Sequence, residues 1–240
     1  MTKLSVNLNK FALIRNARGT DFPNVEGMAR RTIAAGGHGI TVHPRPDERH
    51  IKYADVPVLA GVCKEFKSIE YNIEGNPEGD FIDLVLQNRP DQCTLVPDDP
   101  NQLTSDHGWD IATHGERLKP LIAKFQDHGI RVSLFMDPEP EQIRRAADTG
   151  AQRIELYTEP YADAFGTDSQ TEVWEQFALA AECAVQNGLG LNAGHDLNLA
   201  NLKEFLRIPD ILEVSIGHAI VVESFDHGYE ETLRRYLELV

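Results

Sequence analysis

Gly39-Ile-Thr-Val-His-Pro-Arg-Pro-Asp-Glu-Arg-His50 opens as a short strand and breaks at once into a polar loop. The β-branched residues between Gly39 and Val42 suit burial on both faces of a sheet. Pro44 and Pro46 stiffen the exit, and the loop carries His43, Arg45, Arg49 and His50. A buried strand that delivers titratable and cationic groups at its C-terminal end is how a parallel α/β sheet presents an active site.

The rest of the chain repeats this design. Strand-like segments begin near Leu4 (LSVNL), Gly39 (GITV), Lys67 (KSIEY), Gln92 (QCTLV), Ile130 (IRVSLF), Gln152 (QRIEL), Gly188 (GLGLN) and Leu212 (LEVSI). Their mean spacing of about 30 residues is the size of one βα unit. Helical patterns fill the gaps: Val25 to Ala35, Ala54 to Phe66, Glu78 to Asn88, Thr113 to His128, Pro140 to Thr149, Thr171 to Gln186, Leu199 to Leu206, and an amphipathic Glu230 to Val240. No linker, low-complexity tract or composition shift interrupts the 240 residues, which predicts a single domain over 1–240. Eight such units can build an open doubly wound sheet or a closed barrel. No GxGxxG follows the first strand, which weakens the dinucleotide-binding version. Strand count, even spacing and length favour a (β/α)₈ TIM barrel, an α/β fold.

The net charge of −15 argues against nucleic acid or an anionic membrane as partner. Basic residues gathered in one cleft can still hold phosphates. Cys63, Cys93 and Cys183 are odd in number and widely spaced, so they read as reduced thiols rather than a disulfide framework or a zinc site. The N-terminus has no continuous apolar run and no stretch approaches a membrane span, so the expected location is the cytoplasm.

In a barrel, the residues just past each strand converge on one mouth. The first strand delivers Asn7, Asn9 and Lys10, with Arg15 and Arg18 following. The second gives His43, Arg45 and His50, and the third gives Glu70. The fourth leads to Thr104, the fifth to Asp137, the sixth to Glu155 and Thr158. The seventh gives Asn192-Ala-Gly-His-Asp196 and the eighth Gly217-His218. Each has a plainer reading: Glu70 as the outward residue of an alternating strand, Arg15 and Arg18 as a solvated face, Asp137 as a helix cap. Gly194 and Gly217 fit the phosphate-binding loops that follow strands seven and eight of many barrels, because glycine lets backbone N–H groups approach an anion. With Arg18, Arg45 and His50 opposite, the mouth has two clusters able to hold anions, which suits a pair of phosphorylated small-molecule substrates.

The combination of Val6-Asn7 with Arg15-Asn-Ala-Arg-Gly19, Gly39-Ile-Thr-Val-His-Pro-Arg45 with Asp47-Glu-Arg-His-Ile51, Leu95-Val-Pro97, Val132-Ser-Leu-Phe135, Tyr161-Ala-Asp163, Asn192-Ala-Gly-His195 and Ile216-Gly-His-Ala-Ile220 resembles the pyridoxine 5′-phosphate synthase family of vitamin B6 biosynthesis. The matches run in order from the first strand to the last. The resemblance implies a TIM barrel that condenses 1-deoxy-D-xylulose 5-phosphate with 3-amino-2-oxopropyl phosphate, without metal or other cofactor, as a homo-octamer. It implies acid–base roles for His43, Glu70 and His195. It implies that Asn7, Arg18, Gly217, His218 and the residue after His195, here Asp196, hold the amino-ketone phosphate, and that Arg45, His50 and Thr104 hold the sugar phosphate. Asn9 and Lys10 stand where many members have an acid and an imidazole contacting the sugar phosphate, and Asp196 stands where glycine is common. Lys10 can offer charge to a phosphate but is no neutral-pH base without a large pKa shift.

Two rival readings differ in class. Glu70, Asp137, Glu155 and His195 are ligand types that could surround a divalent ion in a sugar-phosphate isomerase or epimerase. A barrel that binds a phosphorylated metabolite without turning it over is the other.

Overall fold

Alternating apolar and polar side chains run along eight short parallel strands that close into a barrel. The computed structural model describes residues 1–99 and 102–240. The strands are β1 (Lys3–Asn7), β2 (Gly39–Val42), β3 (Glu70–Gly75), β4 (Gln92–Leu95), β5 (Arg131–Met136), β6 (Arg153–Tyr157), β7 (Gly190–Gly194) and β8 (Ile211–Ile216). Each pairs with its neighbours in sequence, and β8 returns to β1 with Leu4 opposite Val214 and Val6 opposite Ile216. After β1 come α1 (Asn9–Arg18) and α2 (Val25–Ala34), after β2 α3 (Asp55–Lys64), and after β3 α4 (Phe81–Asn88). Next are α5 (Ile111–Asp127), α6 (Pro140–Ala147), then α7 (Glu159–Ala164) and α8 (Gln170–Gln186) in the β6–β7 connection. The short α9 (Leu202–Phe205) precedes β8, and α10 (His218–His227) and α11 (Tyr229–Leu237) follow it. This is the expected (β/α)₈ TIM barrel.

One residue in two along each strand packs outward against the helices. Leu4, Val6, Ile40, Val42, Ile73, Leu95, Leu134, Ile154, Leu156, Leu191, Val214 and Ile216 share one apolar cluster with helical residues such as Leu59, Ile122, Phe177 and Leu233. Each such side chain contributes about 1.5–3 kcal/mol on leaving water.

The other half of each strand corrects the expectation of strands buried in apolar surroundings on both faces. The barrel interior is polar. Ser5 meets Thr41 at 2.7 Å, Thr94 donates to Asn72 at 3.2 Å and to Glu155 at 3.3 Å, and Asn192 donates across the barrel to Gln92 at 3.2 Å. Buried polar groups are tolerable only when they satisfy one another in this way.

Three helices were not expected from the pattern. In α1 the apolar period is broken by Arg15, which is buried because its guanidinium grips Asp55 at 2.7 and 2.8 Å. The six-residue α7 is too short to show a period. In α10 the run Ile220-Val-Val222 is β-branched and reads as strand, yet it lies in the helix that Gly217 precedes. Among the described residues, no helix is long and apolar enough to cross a membrane.

Candidate active site

Residues past the C-terminal ends of the strands enclose a cavity of about 480 Å³. Asn7, Asn9, Lys10, His43, Arg45, His50, Thr104, His195, Asp196, Gly217 and His218 all border it. Of the residues the resemblance assigned to the site, Glu70 and Arg18 do not; of the other expected strand-end residues, Glu155 borders it and Arg15, Asp137, Thr158 and Asn192 do not.

Glu70 is at the wrong end of the barrel. The sequence pattern suggested a third strand over Lys67 to Tyr71, with Glu70 near its exit, but β3 begins at Glu70 and continues to Gly75. Glu70 therefore lies on the N-terminal face, hydrogen-bonded to Lys3 and Arg131, the first residues of β1 and β5. Partial burial pushes its pKa up, yet the bonds from Lys3 and Arg131 prevail and hold it near 2. Asn72 and Glu74 are polar, and outside a barrel such polarity marks the end of a buried strand. In a barrel with a polar interior it does not. The Asn76-Pro77 break was the better signal.

Glu74 occupies the place expected of Glu70. The register pairs Val42 with Ile73, so the next residues, His43 and Glu74, are neighbours at the mouth. The Glu74 carboxyl lies 4.0 Å from Nδ1 of His43 and accepts a hydrogen bond from the Asn7 amide at 3.3 Å. Burial raises the Glu74 pKa well above the carboxylate range, helped by Glu155 and Asp98. Burial lowers that of His43 well below the usual imidazole value, helped by Arg45, His50 and His195. Both shifts have burial as their main cause and favour the uncharged form of each group. Deeper in the barrel, burial and then the Glu213 charge push Glu155 up to about 8.

Arg18 is the other residue implied by the resemblance that falls outside the site. It sits in the last turn of α1, exposed to solvent and outside the cavity lining. The helix turns it away, while Arg15, one turn earlier, is buried against Asp55.

The basic residues of the β2 loop are held firmly. Arg45 is only 4% exposed and binds the carboxylate of Asp98, itself 2% exposed, with a further donation to the Gln102 carbonyl at 3.4 Å. His50 accepts the Ile51 N–H at Nδ1 over 2.9 Å, which leaves its proton on Nε2. Burial and then Arg45 lower its pKa to about 4, so it is a neutral donor at pH 7. Asn9 acts through the backbone: its side-chain oxygen accepts the His43 N–H at 2.9 Å, pinning the end of β2 to α1. Lys10 borders the cavity, close enough to His50 and to Asp196 to act on the charge of each.

On the opposite wall, the His195 ring stands edge-on to Phe135 and Tyr157, with centroids 5.7 and 5.4 Å away. The Asp196 carboxylate lies 3.8 Å from its Nδ1, which holds the Asp196 pKa down. Gly217 caps α10 with its backbone pressed against Asn7; a Cβ there would be 2.9 Å from the Asn7 carbonyl oxygen. The N–H groups at the start of this ten-residue helix, beside His218, are suited to an anion. The four residues suggested as metal ligands are not gathered, since Glu70 is at the far end of the barrel.

Comparison with known proteins agrees with this geometry. Residues 4–240 match the family described as pyridoxal phosphate biosynthesis protein PdxJ. The chain is 51% identical over 241 residues to the pyridoxine 5′-phosphate synthase of Christiangramia forsetii, covering 100% of both chains. It is 51% identical over 237 residues to that of Bacteroides thetaiotaomicron, covering 98% of each. Among solved structures it is similar in fold to 3-keto-L-gulonate-6-phosphate decarboxylase from Vibrio cholerae (TM-score 0.67, 10% identity, covering 99% of this chain and 96% of that one). It is also similar to phosphoribosyl anthranilate isomerase from Thermotoga maritima (TM-score 0.62, 12% identity, covering 99% and 98%). With a match from the first strand to the last residue, the chain belongs to the PdxJ family of pyridoxal phosphate biosynthesis proteins.

Proposed function

We propose that this chain is a pyridoxine 5′-phosphate synthase, joining 1-deoxy-D-xylulose 5-phosphate to 3-amino-2-oxopropyl phosphate with release of inorganic phosphate and water. The observation that carries the reading beyond family membership is the buried, closely placed pair of Glu74 and His43 sharing one mouth with His195. Condensing an amine with a ketone and then losing water and phosphate needs a group that gives protons and a group that takes them at neutral pH. A protonated Glu74 gives a proton to a leaving hydroxyl, and the neutral His43 ring takes one from an amine or a carbon next to a carbonyl. His195, on the far side, serves the other end of the forming ring.

Two anion-holding ends fix the substrates without consuming the reacting carbons. Arg45, His50, Thr104 and Lys10 take the sugar phosphate. Gly217, His218, Asn7 and the Asp196 N–H take the amino-ketone phosphate. A homo-octamer in the cytoplasm fits the family resemblance and the three free buried thiols; light scattering that reports a monomer at micromolar concentration would remove the octamer. The test of function is incubation with both substrates and chromatographic detection of pyridoxine 5′-phosphate. Binding of either phosphate ester without product would leave a metabolite-binding barrel. Activity abolished by chelation and restored by a divalent ion would favour an isomerase.

A further inference from the structure

His195 has φ +86° and Asp196 follows at φ +57°, both in the left-handed region that side chains other than glycine avoid. Such backbone is strained and persists only where the surroundings over-determine it. Here the restraint comes from the residue that follows β6. The fully buried Thr158 donates its amide N–H to the Gly194 carbonyl at 2.9 Å. Its one hydroxyl hydrogen is shared between that carbonyl, at 2.6 Å, and the carbonyl of His195. These two carbonyls belong to the peptide units on either side of the His195 Cα, so a single hydroxyl grips both planes whose rotation sets its backbone. Gly194 completes the arrangement, because a Cβ there would lie 2.3 Å from the Glu155 carboxyl oxygen.

We propose that Thr158 is a positioning residue for His195: its hydroxyl holds the strained backbone that sets the imidazole between Phe135 and Tyr157 and turns it toward the mouth. Thr158 does not border the cavity and acts only through His195. The inference rests on the acid–base reading of His195 given above, and its test separates the two.

Thr158→Val keeps the shape and removes the hydroxyl, and Thr158→Ser keeps the hydroxyl. Misplacing a reacting group by about 1 Å costs up to about 10² in rate. Thr158→Val should therefore lower kcat by roughly 10- to 100-fold with each KM within about threefold, and Thr158→Ser should restore it. In a His195→Asn background Thr158→Val should cost nothing more, because the group it positions is gone. The second readout needs no activity. The His195 ring protons, assigned by their loss in His195→Asn, are shifted by the ring currents of Phe135 and Tyr157 and should move toward ordinary values in Thr158→Val. If Thr158→Val does not fold, Thr158→Ala takes its place in every arm. Unchanged ring resonances, unchanged kcat, or an equal loss in the His195→Asn background would each overturn the proposal. Absence of product from the wild type would overturn the synthase reading and leave the resonance comparison to decide the role of Thr158.

Discussion

The Glu74 carboxyl lies 4.0 Å from Nδ1 of His43, where burial raises the pKa of the acid and lowers that of the imidazole. Glu74→Gln keeps the shape and the contact with Asn7 but has no transferable proton, so turnover should fall by on the order of 10²–10⁴. Glu70→Gln, at the other end of the barrel, should leave turnover within a few-fold. Steady-state kinetics of the two variants side by side decide the matter. Equal losses would mean that the barrel's two ends are coupled, and a loss only in Glu70→Gln would reverse the assignment.

The same two regions give opposite dependences of stability on pH. Glu70 has a folded pKa near 2, below its ordinary 4.5, so its contribution is present above about pH 4.5 and fades as pH falls through about 2. Glu155 has a folded pKa near 8, so the folded state holds its proton more tightly than the unfolded chain does. Stability from that proton is full below about pH 4.5 and is lost as pH rises through about 8. Urea midpoints measured across this range should fall less steeply at low pH in Glu70→Gln and less steeply toward pH 8 in Glu155→Gln. Parallel curves for wild type and Glu155→Gln would mean that Glu155 is ionised in the folded barrel.

Arg45 has a structural partner as well as a proposed substrate. Both it and Asp98 are almost wholly buried. Removing one member of a buried pair leaves the other charge unpaired, so Arg45→Met should cost about 3–5 kcal/mol in denaturant unfolding. Arg45→Met with Asp98→Asn should recover much of that stability. It should not recover the KM for the sugar phosphate, because the guanidinium is still missing. Recovery of both together would make Arg45 a structural residue alone.

Lys10 borders the cavity together with Arg45 and His50. Lys10→Met should chiefly raise the KM for 1-deoxy-D-xylulose 5-phosphate, with kcat little changed, since binding common to ground and transition states is what it removes. The effect should shrink at high salt, as expected for a charge open to solvent. An unaltered KM would place Lys10 on the rim without a role.

The legibility of this protein in its sequence was uneven for a physical reason. Period-two apolar residues and the 30-residue rhythm report packing against helices, a property shared by many positions, so small errors at any one strand leave the barrel intact. That made the eight strands, their parallel order and most helices readable. The groups at the mouth that follow an abrupt break, such as His43 with Arg45 after Val42 and His195 after Gly194, were readable because proline and glycine mark the exit of their strands.

What the tertiary structure alone decided is which residue of a polar strand faces which end. Glu70 and Glu74 lie on the same face of β3, so alternation alone does not distinguish them, and only the Asn76-Pro77 break hints at the exit. The register of β3 against β2, with Val42 opposite Ile73, lifts Glu74 to the mouth and leaves Glu70 with Lys3 and Arg131 below. The same holds for Arg18, which the helical turn of α1 carries out of the cavity, and for Thr158, whose grip on His195 joins residues far apart in sequence. The sequence by itself determined the alternation that closes the barrel and the chemistry available at its strand ends. Register, helix phase and cross-strand hydrogen bonds, which depend on partners distant along the chain, decided which of those groups meet.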